Sequence, residues 1–395
     1  MPYLDYAASA PLRPEALAAM RPFLERPAAN PSSQHAPGRA ARAAVETARE
    51  QVAALVGAAP ADVVFTSGGT EADNLAVKGT VLARAPGARH LVASAVEHHA
   101  VLDAAAWAVG DAGAELDLVA VGPTGRVDRD ALAAAVRPGR TALVALMAAN
   151  NEVGTGQPVA AAAEVAHAAG AVLLCDAVQA AGVPGVDVAE GGIDLLALAA
   201  HKLGGPTGVG ALVVRPGTVL RPLVHGGGQE RGLRSGTLPV AALAGFGAAA
   251  AAAMAERAVQ AVALARLRER LLAGLRALEP ALVVNGDPAA SAGGPAPGLP
   301  GLASVRFPGR RAEDLLLLLD RSGVACSAGS ACASGAVSAS YVLLAMGRTA
   351  AEARETLRFS LGHGSTSADV DAAVAAVGRA LAVLAPAAVA AGGGP

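Results

Sequence analysis

Two residues suited to cofactor chemistry follow apolar runs in the middle of the chain. Asp176 comes directly after Leu173-Leu174-Cys175, and Lys202 follows the run Leu195–Ala199 by three residues. A lysine in apolar surroundings has a lowered amine pKa, which suits Schiff-base formation. A carboxylate at the end of a strand can hold a pyridinium N–H, although many such aspartates are only helix N-caps. Because the chain has only two lysines, Lys78 and Lys202, the position of Lys202 favours amine chemistry.

A glycine-rich turn and a pair of histidines follow two other apolar runs. The turn Ser67-Gly68-Gly69-Thr70-Glu71 opens a helical stretch, where bare backbone N–H groups can approach a phosphate. It could equally be an ordinary strand-to-helix turn, and it is not a Walker loop because no Gly-Lys-Ser/Thr follows. In Val96-Glu97-His98-His99, His98 could stack on a flat ring and move protons near neutral pH. Either histidine could instead simply begin a helix.

Cys332 lies in a stretch of small and polar residues that spans 324–335 and also holds Cys326. A thiol on such a loop is accessible, as a nucleophile must be. Cys175 instead lies in an apolar run, which is typical of a buried structural cysteine. Three cysteines without zinc-type spacing argue against a disulfide framework.

The composition sets limits on the function. The chain has 395 residues, of which 53% are hydrophobic, so it is long enough for two domains with a large core. A formal net charge of −2 gives no electrostatic footprint for nucleic acid. We expect no signal peptide, and the Ala- and Gly-rich stretch 239–255 is too short and too weakly apolar for a membrane span. The composition therefore predicts a soluble cytoplasmic protein.

Apolar runs alternate with alanine-rich helical stretches through the first two thirds of the chain. The predicted strands are 63–66, 90–94, 116–121, 141–148, 171–175, 195–199 and 209–214. The predicted helices are 39–56, 71–83, 100–109, 129–136 and 159–169. This alternation predicts an α/β fold with a mostly parallel sheet covered on both faces. Ligands of such sheets bind at the carboxyl ends of the strands, where the residues above lie.

A second, smaller α+β domain is predicted from the last third of the chain. A long helix over 240–278 leads into it, followed by a Gly/Pro-rich loop at 285–300. A strand at 303–307, a helix at 312–320, the Cys332 loop, a strand at 356–361 and a helix at 367–384 complete it. We expect a large domain over 15–258 and a small domain formed by 1–14 with 259–395. The tail Ala-Gly-Gly-Gly-Pro is expected to be disordered.

Several long motifs, in the correct order, resemble those of the cysteine desulfurases, in the class V aminotransferase-like branch of fold-type I pyridoxal-phosphate enzymes. The resemblance covers nearly the whole chain. Its motifs are Tyr3-Leu4-Asp5-Tyr6-Ala7-Ala8, Asn30-Pro31-Ser32-Ser33, Thr66-Ser67-Gly68-Gly69-Thr70-Glu71-Ala72-Asp73-Asn74, Asn150-Asn151-Glu152-Val153-Gly154, His225-Gly226-Gly227-Gly228-Gln229-Glu230-Arg231, Arg234-Ser235-Gly236-Thr237-Leu238-Pro239 and Arg358-Phe359-Ser360-Leu361-Gly362.

The resemblance implies pyridoxal 5′-phosphate (PLP) as cofactor and assigns a role to each matching residue. The cofactor-binding residues would be Gly69, Thr70, His98, Asn151, Asp176, Gln179, His201, Lys202 and Thr237. Lys202 would form the Schiff base, Asp176 would pair with the pyridine nitrogen, and Gln179 would hydrogen-bond the phenolic oxygen. His98 would stack on the ring and assist proton transfer. Gly69, Thr70 and His201 would hold the phosphate, with Thr237 supplied by the second subunit of a homodimer.

The implied reaction converts L-cysteine to L-alanine and leaves the sulfur on Cys332 as a persulfide. Asn151 and Arg358 would bind the substrate, with Arg358 taking the carboxylate as a bidentate fork. Lys202, Cys332 and His98 would be the catalytic residues. The spacing from Cys332 to Tyr341 resembles the long-loop desulfurases that serve iron–sulfur assembly and tRNA thiolation. A sulfur-acceptor protein, either an iron–sulfur scaffold or a thiolation enzyme, is therefore an expected partner.

The chain departs from the family pattern in three places. Ala199 stands where the family commonly has a hydroxyl residue, Leu203-Gly204-Gly205-Pro206-Thr207 lacks the aromatic residue and second lysine of some members, and Cys326 is an extra thiol. A selenocysteine lyase or another class V aminotransferase-like enzyme is an alternative function, although an aminotransferase has no need of Cys332. A PLP-binding scaffold without catalysis is the non-enzyme alternative.

Overall fold

The computed structural model describes residues 1–25, 29–288, 298–329 and 339–384. A seven-stranded sheet lies at its centre, in the order β1-β7-β6-β5-β4-β2-β3. Its strands are β1 Val63–Thr66, β2 His90–Ser94, β3 Glu115–Val119, β4 Thr141–Ala145, β5 Val172–Asp176, β6 Leu195–Ala199 and β7 Gly210–Val214. Five neighbouring strands run parallel, and β7 pairs antiparallel with both β1 and β6. The predicted α/β class with a mostly parallel seven-stranded sheet is confirmed.

Helices cover both faces of this sheet. They are α1 Pro14–Leu24, α2 Ala36–Leu55, α3 Gly69–Ala83, α4 His99–Ala112, α5 Arg129–Ala135, α6 Val159–Ala168 and the long α7 Val240–Leu278. One hydrophobic core contains residues of α2, α6 and α7, and the core on the other face contains residues of α3 and α4. In β6, Leu196 and Leu198 join the first core while Leu195 and Ala197 join the second. Burial on both faces explains the unbroken apolar runs of the sequence.

A second sheet is antiparallel and has the order β10-β11-β9-β8. It comprises β8 Val283–Asn285, β9 Leu302–Arg306, β10 Ser327–Ala328 and β11 Thr356–Ser360, with the helices α8 Ala312–Arg321, α9 Tyr341–Ala345, α10 Ala350–Arg354 and α11 Ser367–Leu384. Its core gathers Leu4, the last turns of α7, and residues of α8 and α11. The domain limits at 14/15 and 258/259 stay a prediction, and the second falls within α7.

Helix α7 links the two cores. Its 39 residues span about 58 Å at 1.5 Å per residue. Within the described part of the chain, α7 is the one helix that is long enough and apolar enough to cross a membrane. However, its first half packs on α1 and α2 through Leu243, Phe246 and Ala250, and its last turns pack on α11. The helix thus packs against the rest of the protein near both of its ends.

The predicted element boundaries agree with the structure to within three residues. Strand β4 ends at Ala145 rather than 148, although the N–H groups of Leu146 and Ala148 still donate to carbonyls of the β5 strand. The sequence pattern does not predict α1, β8, β10, α9 or α10, of which all but α1 have five residues or fewer. Such short elements carry too few residues for a periodicity to show. The tail predicted to be disordered lies outside the described residues, and so does most of the Cys332 loop.

Candidate active site

One cavity of about 310 Å³ opens at the carboxyl ends of the parallel strands. Nine residues predicted for the site line it together: Gly69, Thr70, His98, Asn151, Asp176, Gln179, His201, Lys202 and Arg358. They come from the end of β5 and the turn after it, the 3-10 turn after β6, the start of α3, the N-cap of α4, the segment after β4, and β11 of the second sheet. Strand topology therefore brings together residues that are up to 289 positions apart in sequence.

The Lys202 amine lies against the N-terminal segment. Lys202 Nζ donates to the carbonyl oxygens of Ala7, at 2.5 Å, and of Ala8, at 2.9 Å. Gln179 Nε2 donates to the same Ala7 oxygen at 2.7 Å. Lys202 is half-buried in a short 3-10 turn directly after β6. The motif at residues 3–8 thus forms part of the cavity wall, a role that the sequence analysis did not assign to it.

Asp176 ends β5 with its carboxyl at the cavity. Its Oδ1 atom accepts the backbone N–H of Val178 at 2.9 Å, which fixes the side chain. Burial raises the pKa of Asp176, while the Val178 hydrogen bond and the nearby His98 and Lys202 oppose this rise. A buried carboxylate fixed in this way can pair with a protonated ring nitrogen, because the positive charge of that nitrogen would balance the buried negative charge.

Two further carboxyls, on Asp73 and Glu97, lie in the same electrostatic neighbourhood as Asp176. Both are buried, and Asp73 Oδ1 and Glu97 Oε2 have no hydrogen-bond partner within the described part of the chain. Burial raises the pKa of Glu97 to about 8 and that of Asp73 well above its usual value. Glu97 therefore holds its proton at neutral pH, and burial shifts the pKa of Asp73 in the same direction. Their presence in the quoted motifs was the only sequence signal for them.

The two histidines of the site are neutral at neutral pH. His98 Nδ1 accepts the Ala100 N–H at 3.1 Å as the N-cap of α4, so the neutral ring carries its proton on Nε2. Burial lowers the pKa of His98. Burial, followed by the charge on Lys202, lowers the pKa of His201 to about 4. His201 Nδ1 lies 3.3 Å from the Ser9 hydroxyl oxygen.

The start of α3 forms the anion-binding end of the cavity. A Cβ on Gly69 would lie 2.6 Å from a methyl carbon of Val178, so the backbone approaches too closely for any other residue. Unpaired N–H groups at the beginning of this 15-residue helix favour a phosphate. Ala199 also lines the cavity, and its Cβ would lie 3.6 Å from a Cβ placed on Gly69. The hydroxyl that the family commonly has at the position of Ala199 would therefore lie at this anion-binding end of the cavity.

Arg358 is buried on β11 and held from two sides. Its Nη1 donates to the Asn151 carbonyl at 2.9 Å, and its Nη2 donates to Asp5 Oδ1 at 3.0 Å. Arg358 Nε and Asn151 Oδ1 are buried without a hydrogen-bond partner among the described residues. A guanidinium with an orphaned N–H beside an orphaned amide oxygen suits a ligand that brings a carboxylate and a donor, as an amino acid does.

One further predicted site residue, Thr237, does not line this cavity. Thr237 lies exposed in the loop between the 3-10 turn Glu230–Gly232 and α7. Cys332 lies outside the described residues. Cys326 is largely buried, and burial raises the pKa of its thiol to about 12, which makes it a poor nucleophile at neutral pH.

Comparison with known proteins agrees with this geometry. The sequence model of the class-V aminotransferase family matches residues 2–373. The chain belongs to this family, in its cysteine desulfurase branch. It is 44% identical to the IscS-like cysteine desulfurase of Mycobacterium tuberculosis, over all of this chain and 99% of the relative. It is 43% identical to a cysteine desulfurase of Cereibacter sphaeroides, over 93% and 92% of the two chains.

Solved structures of related proteins share the fold. A NifS-like protein superposes with a TM-score of 0.88 at 32% identity, covering 96% of this chain and 99% of its own. SspA in complex with cysteine superposes with a TM-score of 0.79 at 33% identity, covering 91% and 99% of the two chains. The family uses PLP. The cavity fits this cofactor, because a lysine, a buried carboxyl and an anion-binding helix start line its wall. Three of the described lining residues, Asp73, Asn151 and Arg358, also carry a buried polar atom without a hydrogen-bond partner.

Proposed function

We propose that this protein is a PLP-dependent cysteine desulfurase that converts L-cysteine to L-alanine and receives the sulfur on Cys332 as a persulfide. The observation that carries the proposal is the single cavity in which Lys202, Asp176, His98 and Arg358 meet. Full-length similarity to cysteine desulfurases supports the choice of substrate. The Cys332 role rests on the family resemblance.

The cofactor, when bound, supplies an electron sink for the bonds around the substrate α-carbon. Asp176 would pair with the protonated ring nitrogen, and the start of α3 with His201 would hold the phosphate. Arg358 and Asn151 would orient the substrate carboxylate. Lys202 would take and return a proton at the α-carbon, and His98 would hold or move a proton nearby.

The sulfur-transfer step balances without an external oxidant. The Cys332 thiolate attacks the substrate sulfur, so an S–S bond forms while the substrate C–S bond breaks. The electron pair of that bond stays with the carbon, which becomes the methyl group of alanine after protonation. One L-cysteine and one Cys332 thiol thus give one L-alanine and one Cys332 persulfide.

Several further properties are part of the proposal. The exposed position of Thr237, away from the cavity of its own chain, supports an isologous homodimer in which each subunit completes the other's phosphate site. The proposed sulfur acceptor is an iron–sulfur scaffold or a thiolation enzyme. The proposed location is the cytoplasm. Sedimentation that found a fully active monomer would contradict the shared site.

A single-turnover experiment with L-cysteine tests the function. Purified holoenzyme should release one alanine per subunit, and mass spectrometry should find one added sulfur on the peptide of Cys332. Cys332→Ala should still bind cofactor and substrate but form no persulfide and release no sulfide. Cys326→Ala, the matched control, should keep most activity because its buried thiol is not the nucleophile. Added sulfur on Cys326 would contradict the assignment, as would turnover of L-selenocysteine but not L-cysteine.

A further inference from the structure

Glu152 is a buried acid that the reaction described above does not use. It lies in the segment after β4, next in sequence to Asn151 of the cavity wall, and only 4% of its surface is exposed. The backbone around it is fixed, since Asn150 Oδ1 accepts the N–H groups of Glu152, at 2.9 Å, and Val153, at 3.1 Å. Asn150 is itself buried and donates to the Val96 carbonyl at 3.0 Å. The carboxyl of Glu152 therefore has a defined position.

The Glu152 carboxyl contacts the described residues on both sides of the segment 330–338. From one side, Ser340 Oγ donates to Glu152 Oε2 at 2.5 Å. From the other side, a Cβ on Gly329 would lie 2.6 Å from the same Oε2 atom, so the Glu152 carboxyl would have to move for any larger residue there. Gly329 and Ser340, which have ten residues between them in the sequence, thus both lie next to one carboxyl oxygen.

Each of these two ends is also joined to the active site. Gly329 directly follows β10, in which Ser327 pairs with Arg358 of β11. Ser340 is the N-cap of α9, because its hydroxyl oxygen accepts the Leu343 N–H at 3.1 Å. Helix α9 packs its Val342 and Leu343 against Val96 and Val153 beside the cavity.

We propose that Glu152 is a positioning residue that fixes both ends of the Cys332 segment beside the substrate-binding residues Arg358 and Asn151. This inference rests on the proposed role of Cys332 as sulfur acceptor. Anchoring both ends at one carboxyl sets where the segment leaves and re-enters the structure. Since a shift of about 1 Å in a reacting group can cost about a hundredfold in rate, such anchoring would act on sulfur transfer rather than on cofactor binding.

The charge state of Glu152 is consistent with this role. Burial raises its pKa to about 7, opposed by the Ser340 hydrogen bond and by the charge on Arg358. A carboxylate accepts a hydroxyl hydrogen bond more strongly than a neutral acceptor does. Gln in place of Glu keeps an acceptor oxygen for Ser340, whereas Ala removes it. The pair Glu152→Gln and Glu152→Ala therefore separates the contact from the charge.

Hydrogen exchange of the holoenzyme tests the anchor without relying on activity. In Glu152→Ala, we expect backbone exchange to become about tenfold faster in peptides covering both 325–329 and 340–346, because the Ser340 hydrogen bond is lost at one end and the packing of the carboxyl against Gly329 is lost at the other. Gly329→Ala should give the same result from the opposite side, and Glu152→Gln should lie close to the parent. Gly110→Ala, at a helical glycine with nothing within 4 Å of the built Cβ, is the matched control for the glycine change. Thr349→Ala, which removes the N-cap of α10, is the matched control for the loss of a cap.

Sulfur transfer gives the second readout. In a single turnover, Glu152→Ala should form the Cys332 persulfide at least tenfold more slowly, while cofactor loading and the KM for L-cysteine stay near the parental values. Exchange that rises at only one end, or parental persulfide formation in Glu152→Ala, would overturn the proposal. A parent enzyme that forms no Cys332 persulfide would instead refute the proposed function, and the exchange result would still test the anchor.

Discussion

Replacing Glu97 with glutamine should flatten the dependence of stability on pH. Glu97 is fully buried, and its pKa is raised from 4.5 to about 8, mainly by burial and further by the charge on Asp176. The folded protein therefore holds a proton that the unfolded chain releases above pH 4.5. The stability that this proton provides is complete below about pH 4.5 and is lost as the pH rises through about 8. At 1.36 kcal/mol per unit, the loss between pH 5 and pH 8 is on the order of 4 kcal/mol.

Glutamine cannot ionise, yet its carbonyl oxygen can still accept the Met147 N–H that Glu97 Oε1 accepts at 2.8 Å. We therefore expect Glu97→Gln to match the parent near pH 5 and to exceed its free energy of unfolding by about 3 to 4 kcal/mol near pH 8. Urea unfolding of the apo protein at pH 5, 6, 7 and 8 measures both curves. Glu164→Gln, at an exposed glutamate of α6 that pairs with Arg129, is the control and should leave the pH dependence unchanged. Parallel curves for Glu97→Gln and the parent would refute the assignment of a buried, protonated Glu97.

Three further predictions concern the cofactor and the substrate. Lys202→Ala should abolish turnover and covalent cofactor attachment, since Nζ is the amine in the cavity; borohydride reduction that still fixed the cofactor to the protein would contradict this. Ala199→Ser should tighten cofactor binding by roughly one to two powers of ten, because a buried hydroxyl at the phosphate end adds a hydrogen bond to a charged group. Unchanged cofactor affinity together with a less stable apo protein would show instead that Ala199 only packs against the sheet. Arg358→Lys should raise the KM for L-cysteine by about tenfold or more, because lysine cannot keep the contacts to Asn151 and Asp5 while presenting a fork to the carboxylate; an unchanged KM would refute carboxylate binding at this residue.

The sequence by itself determined the class of fold and nine of the residues that line the cavity. Runs such as 195–199 are apolar at every position, which predicts strands buried on both faces, and β6 joins both cores in the structure. Asp176 and Lys202 stand directly after two such runs, so the rule that ligands bind at the carboxyl ends of parallel strands already placed them together. The long motifs of the resemblance then supplied His98, Gln179 and Arg358, which line the same cavity.

Only the tertiary structure could decide which contacts hold these residues in place. The carbonyls of Ala7 and Ala8 against Lys202, and Asp5 against Arg358, join positions 194 to 353 residues apart, and no local pattern encodes such pairings. The raised pKa values of Glu97 and Asp73 follow from burial and from neighbouring charges, which are properties of the packed structure. The meeting of Gly329 and Ser340 at Glu152 likewise depends on how β10 and α9 pack, because a motif specifies residue types but not the neighbours that folding gives them.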